Sequence, residues 1–120
     1  MATILLAEDE AVLRMLIGDT LEDEGHSLDV ACDGEEALQK IERNHYDLII
    51  LDYMMPKVTG LDVLTQIKQM PDKKQIKVLI LSAKSQHSEQ EKMRAAGANE
   101  FMPKPFSPLE LARKVEEMLA

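Results

Sequence analysis

The run Leu48-Ile49-Ile50-Leu51-Asp52 decides how the rest of the chain is read. Its four apolar residues do not alternate with polar ones, the pattern of a strand covered on both faces, and the run breaks off on a carboxylate. Tyr53-Met54-Met55-Pro56 and then Gly60 follow, a loop of the kind that carries chemistry at the carboxyl end of a parallel sheet. Asp52 is therefore the candidate working residue, and the other segments can be read as its support.

Working outward, Thr3-Ile4-Leu5-Leu6-Ala7 is a second apolar run, ending on Glu8-Asp9-Glu10. Lys77 to Ser82 is a third and ends on a hydroxyl; Asn99 to Pro103 is shorter and leads into Lys104. Ser27 to Cys32 makes a weaker strand, and the strand of the opening run begins at Asp47. The segments between have helical spacing. From Ala11 to Glu24, Leu13, Leu16, Ile17 and Leu21 share a face, and Gly25 supplies a stop. Asp33 with Glu36 resembles a capping box for a helix to about Arg43, burying Ala37, Leu38 and Ile41. Thr59 or Gly60 opens a third helix with Leu61, Leu64 and Ile67 inward, closed by Pro71. A polar helix from about Gln86 to Ala96 leaves mainly Met93, Ala95 and Ala96 to pack, so it should be among the least firmly docked elements. Ser107-Pro108-Leu109-Glu110 is a capping box opening a last helix that buries Leu111, Ala112, Val115, Met118 and Leu119. Strands alternating with helices predict an α/β fold, a doubly wound five-stranded parallel sheet in the flavodoxin-like order 2-1-3-4-5 with five helices.

At 120 residues and 45% apolar, the chain is expected to be one domain over residues 1–120. Its 14 basic and 22 acidic residues give a net charge of −8, which argues against direct nucleic-acid binding and against adsorption to anionic membrane. Basic partners or bound cations fit better. The single cysteine excludes an internal disulfide and a multi-cysteine zinc site; Cys32 reads as a small buried hydrophobe. With no long apolar run and no signal-like start, a cytoplasmic location is expected. His26, His45 and His87 read as surface histidines, Met54 and Met55 as gap-filling side chains, and Glu22-Asp23-Glu24 as a solvated face.

In the predicted strand order, Glu8, Asp9 and Asp52 converge at one crevice. Three carboxylates there either raise one another's pKa or share a cation, and a site offering only oxygen ligands suits Mg²⁺. Ser82 adds a hydroxyl and Lys104 an ammonium, the inventory of phosphoryl transfer. Asp52 is then the nucleophile forming an aspartyl phosphate, Asp9 and Glu8 hold the metal, and Ser82 and Lys104 bond to phosphoryl oxygens.

With these residues in place, the chain resembles the receiver domains of two-component response regulators (the CheY-like superfamily) over essentially its whole length. The matching pieces are Glu8-Asp9, Asp52-Tyr53-Met54-Met55-Pro56 with Gly60, Ser82-Ala83, and Lys104-Pro105-Phe106. The resemblance implies phosphorylation of Asp52 from a histidine kinase or histidine phosphotransfer protein, with Mg²⁺ held by Glu8, Asp9, Asp52 and the Met54 backbone carbonyl. It implies docking of that partner at the first helix and the Lys104-Pro105-Phe106 loop, and a cis Lys104-Pro105 peptide. It further implies a switch in which Ser82 moves and Phe101 changes rotamer, altering the face of helix four, strand five and helix five for a downstream protein or a separate effector domain. Glu8 in place of the commoner aspartate, Ser82 in place of threonine and Phe101 in place of tyrosine are tolerated departures. The positions two beyond the phosphorylated aspartate and two beyond the switch hydroxyl, here Met54 and Lys84, tune phosphate loss in the family. Apolar Met54 would shield the phosphate and favour a long-lived state. The expected activity is that of a phosphoacceptor rather than an enzyme, with slow autodephosphorylation. Two rivals are a receiver-like interaction module that is never phosphorylated and an aspartyl-phosphate phosphohydrolase. The hydrolase would normally need a second acid-base aspartate two residues after the nucleophile, where Met54 stands.

Overall fold

A strand buried on both faces needs apolar side chains throughout and helices on either side, and the chain supplies both. The computed structural model describes residues 1–83 and 87–120, without the side chains of 87 and 88. The elements are β1 (Thr3–Ala7), α1 (Ala11–Asp23), β2 (Ser27–Ala31), α2 (Gly34–Arg43), β3 (Leu48–Asp52), α3 (Gly60–Ile67), β4 (Lys77–Ser82), α4 (His87–Ala95), β5 (Glu100–Pro103) and α5 (Pro108–Leu119). The strands form one parallel sheet in the order β2-β1-β3-β4-β5, as the alternation of elements predicted.

β3 lies at the centre, and all of its residues are buried. Successive side chains leave a strand on opposite faces, so the same runs fill two cores. Leu5, Ile49, Leu51, Val78 and Ile80 pack with Ala37 and Ile41 of α2, Val63, Leu64 and Ile67 of α3 and Met93 of α4. Ile4, Leu6, Leu48, Ile50, Leu79 and Leu81 pack on the other side with Ile17 and Leu21 of α1 and Leu111, Val115 and Met118 of α5. Ala7 pairs with Leu51, so Asp52, the last residue of β3, falls beside Glu8, the residue that follows β1.

Helix starts follow the caps read from the sequence. Thr59 accepts from the Asp62 amide, and Ser107 and Glu110 form a reciprocal box. At α2, Asp33 accepts from the Glu36 amide at 2.8 Å, while the Glu36 carboxylate reaches back to the Cys32 amide at 2.7 Å.

Several side chains depart from the sequence reading. Leu16 is 44 % exposed because the buried residues of α1, Ile17 and Leu21, lie in its second half. In its opening turns Leu13 packs partly against the core, while Val12 and Met15 face outward as well. α3 buries Val63 where Leu61 was expected, and α4 buries Met93 but leaves Ala95 exposed. Cys32 is exposed, since β2 ends one residue before it. His26 is buried instead of superficial: its Nδ1 accepts from the Ala2 amide at 3.2 Å, and its Nε2 faces Glu116 at 3.4 Å. Gln86, where α4 was expected to begin, and the side chain of His87 lie outside the described residues.

The loop from β3 to α3 is held against the start of α2. A Cβ on Gly34 would lie 2.0 Å from the Val58 carbonyl oxygen, so only glycine admits this approach. Lys57, with φ of 69°, extends the contact through ion pairs to Asp33 and Glu35 at 3.7 and 3.9 Å. Gly34→Ala must push backbone from backbone and is expected to cost about 1–3 kcal/mol, read as a lower urea midpoint with unchanged slope.

Candidate functional site

The register of β1 with β3 brings Glu8 and Asp52 side by side. Glu8 is fully buried, Asp52 is nearly so and Asp9 is exposed, yet one carboxylate oxygen from each lies within 4.8 Å of the others. Lys104, just past β5, completes the cluster. Its Nζ is 3.2 Å from Glu8 Oε1, 3.2 Å from Asp52 Oδ1 and 4.0 Å from Glu10 Oε1. The Lys104-Pro105 peptide is cis, as the resemblance implied. Ser82 is buried at the end of β4, and its carbonyl accepts from the Lys104 amide at 2.7 Å. The ends of β1, β3 and β5 thus deliver three carboxylates and an ammonium to one place, and the neighbouring end of β4 carries Ser82.

The backbone around Asp52 is fixed by short-range bonds. The Tyr53 amide donates to the Leu81 carbonyl at 2.7 Å and the Gly60 amide to the Tyr53 carbonyl at 2.9 Å. A Cβ on Gly60 would come within 2.3 Å of the Asp52 carbonyl oxygen, which explains the glycine eight residues on. The two methionines of the loop part ways: Met55 is buried, while Met54 is 65 % exposed and fills no gap. Lys84 lies outside the described residues.

Crowding shows in the ionisation of the cluster. Burial pushes the Glu8 carboxyl up to about 7, and the neighbouring Asp52 charge adds to this; the Glu10 amide and Lys104 pull the other way. Asp52 is also raised by burial, against the pull of Lys104. Burial would lower Lys104, but the Asp52 and Glu8 charges outweigh it and hold the ammonium above its ordinary value. The donor set is all oxygen and carries more negative charge than one ammonium offsets. Oxygen ligands of octahedral Mg²⁺ stand at most about 4.2 Å apart, so a slight closure of the Glu8, Asp9 and Asp52 oxygens would fit that ion.

Three contacts were not visible in the sequence. The Tyr53 hydroxyl donates to Glu89 Oε2 at 2.6 Å, tying the residue after Asp52 to the first turn of α4. Arg94 of α4 sits over the Phe101 ring, 5.0 Å from its centroid. Arg14 of α1 donates from Nη1 to the Glu8 carbonyl at 2.8 Å. All three join residues of different elements, so no local pattern announces them. Beside the cluster runs an apolar groove lined by Val12, Leu13, Leu16, Ala83, Pro105 and Phe106, with Glu10 and Lys104 at its rim.

Residues 4–116 match the family of the response regulator receiver domain, and the chain belongs to that family. It is a receiver module of the two-component response-regulator type. The chain is 39% identical over 116 residues to the alkaline phosphatase synthesis transcriptional regulatory protein PhoP of Bacillus subtilis, covering 97% of this chain and 47% of that protein. It therefore spans about half the length of such regulators. The chemotaxis response regulator CheY4 of Vibrio cholerae superposes with a TM-score of 0.95 at 30% identity, over 99% of both chains. The response regulator TrrA of Thermotoga maritima, solved in complex with Mg²⁺-BeF, superposes with a TM-score of 0.88 at 39% identity, over 99% of this chain and 100% of that one. Among the described residues, no helix is long and apolar enough to cross a membrane.

Two outcomes follow from this geometry. The Glu8 carboxyl, ordinarily near 4.5, holds its proton to about 7 in the fold. Between those values the folded chain keeps a proton that the unfolded chain has released, so the Glu8 contribution to stability is full below the lower value and lost as pH rises through the higher. In metal-free buffer, Glu8→Gln should gain stability relative to wild type between about pH 5 and about pH 8; an unchanged difference in urea midpoints contradicts the assignment. Tyr53→Phe removes one bond from a helix with few buried residues. Amides of α4 should then exchange with deuterium about fivefold faster, the effect of losing about 1 kcal/mol.

Proposed function

We propose that Asp52 is the phosphoacceptor of this receiver, taking a phosphoryl group from the phosphohistidine of a histidine kinase or histidine phosphotransfer protein. The observation that carries the reading is the placement of Lys104 Nζ at 3.2 Å from both Asp52 and Glu8, beside the exposed carboxylate of Asp9. Glu8, Asp9, Asp52 and the Met54 carbonyl would hold Mg²⁺, which when bound neutralises charge on the phosphoryl oxygens. A carboxylate oxygen of Asp52 forms the new O–P bond as the P–N bond breaks, and the electron pair passes to the departing imidazole. Lys104 exchanges part of its carboxylate contact for a phosphoryl oxygen, and the Ser82 hydroxyl donates to another. The apolar groove of α1 and the Pro105-Phe106 turn, open on the side of Lys104, is the docking surface for the phosphodonor.

Output passes through α4, β5 and α5. Movement of Ser82 toward the phosphate and a change of rotamer at Phe101 alter that face, which a downstream protein or an effector domain reads. Such a module works in the cytoplasm, and loss of the phosphoryl group by its own hydrolysis is slow. Intact mass after incubation with acetyl phosphate tests the chemistry: a single adduct is expected with Mg²⁺, absent without it and absent in Asp52→Asn. Folded wild type that gains no adduct under any condition would instead favour an interaction module that is never phosphorylated.

A further inference from the structure

The acidic loop between β1 and α1 is lightly held by its own residues. Glu10, the N-cap of α1, makes no side-chain capping bond, and the first turn of that helix contains no acidic side chain. The Glu8 amide is secured to the Ala31 carbonyl at 3.1 Å, but the next tie is the Glu10 amide donating to Glu8 Oε2, also at 3.1 Å. That second tie uses an oxygen of the same carboxylate that faces Asp52 and Lys104. The Glu10 amide and a cation would therefore draw on one Glu8 carboxylate, so this tie is not independent of the site.

Arg14 supplies a tie that does not compete. Its Nη1 bonds to the backbone carbonyl of Glu8, and that carbonyl belongs to the peptide joining Glu8 to Asp9. The guanidinium is anchored one turn into α1, where the Arg14 amide donates to the Glu10 carbonyl at 2.9 Å. We infer that Arg14 is a positioning residue for the acidic loop, fixing the Glu8-Asp9 peptide so that both carboxylates can meet one divalent cation beside Asp52. This inference rests on the reading of the cluster as a Mg²⁺ site.

Two effects of Arg14 act in opposite directions. Its charge repels a cation, whereas its hydrogen bond orients two ligands in advance. Arg14 is partly solvated, so the repulsion is weakened by water and salt, while the orientation of the ligands is not. Orientation should win, as it does for groups that support metal ligands from behind. Lysine at this place keeps the charge without the planar fork, and glutamine keeps neither the charge nor the reach.

The test is a MgCl2 titration of the full chain as wild type, Arg14→Gln, Arg14→Lys and Asp9→Asn, followed through the amide chemical shifts of residues 8–10. Arg14→Gln is expected to bind Mg²⁺ about tenfold more weakly, with Arg14→Lys intermediate. Both Arg14 variants should melt near wild type without Mg²⁺, and their labelling by acetyl phosphate should recover as Mg²⁺ is raised. Unchanged or tighter binding in Arg14→Gln, with wild-type binding intact and lost in Asp9→Asn, overturns the role of Arg14 alone. A wild type that shows no saturable shift overturns the Mg²⁺ reading, and this inference with it.

Discussion

Lys104 Nζ stands 3.2 Å from a carboxylate oxygen of Glu8 and 3.2 Å from one of Asp52, and the polar end of the sheet depends on that ammonium. Two carboxylates buried side by side repel each other and lose the solvation that water would provide. Without a cation between them, one would have to take up a proton or the strand ends would have to part. The lysine reduces this cost without removing it, since Glu8 still holds its proton to about 7. A cluster left short of positive charge is suited to admit a divalent cation, which supplies the charge that one ammonium does not.

The scaffold for this cluster is rigid where it must be and loose where change has to occur. β3 is buried along its whole length, and its register sets Asp52 opposite Leu81 of β4 and one step past the Ala7–Leu51 pair, beside Glu8. α4 is different: its side chains are mostly polar, and Met93 is its buried anchor among the described residues. Its remaining ties include the hydrogen bond from Tyr53 and the stacking of Arg94 on Phe101. One of these contacts begins next to Asp52 and the other ends on the proposed switch aromatic. A change at Asp52 can therefore reach α4 and β5 through side chains already in contact, without unfolding the core.

The exposed apolar residues of α1 have a related explanation. Val12, Met15 and Leu16 sit in the opening turns of a helix whose later turns carry Ile17 and Leu21 into the core. Part of this strip borders Pro105 and Phe106 and opens beside Lys104. A helix that buried every apolar residue would leave no apolar groove beside the site. The amphipathic pattern of α1 serves two faces, one toward the sheet and one toward solvent.

The sequence by itself determined the architecture and the chemical inventory. Unalternating runs such as Leu48 to Leu51 can be satisfied only between two helical layers, and their abrupt polar ends mark where Glu8, Asp9, Asp52, Ser82 and Lys104 must gather. Caps at Asp33, Thr59 and Ser107 were legible because capping is local chemistry within four residues. Only the tertiary structure decided which apolar residues are covered, because helical periodicity gives a face but not the depth at which a neighbour sits: Leu16 and Met54 lie outside, and Val63 takes the place expected for Leu61. It likewise decided the burial of His26, the exposure of Cys32, and the partnerships of Tyr53, Arg94 and Arg14. Each of these depends on a distance between separate elements, and a distance of that kind exists only once the sheet has set the elements side by side.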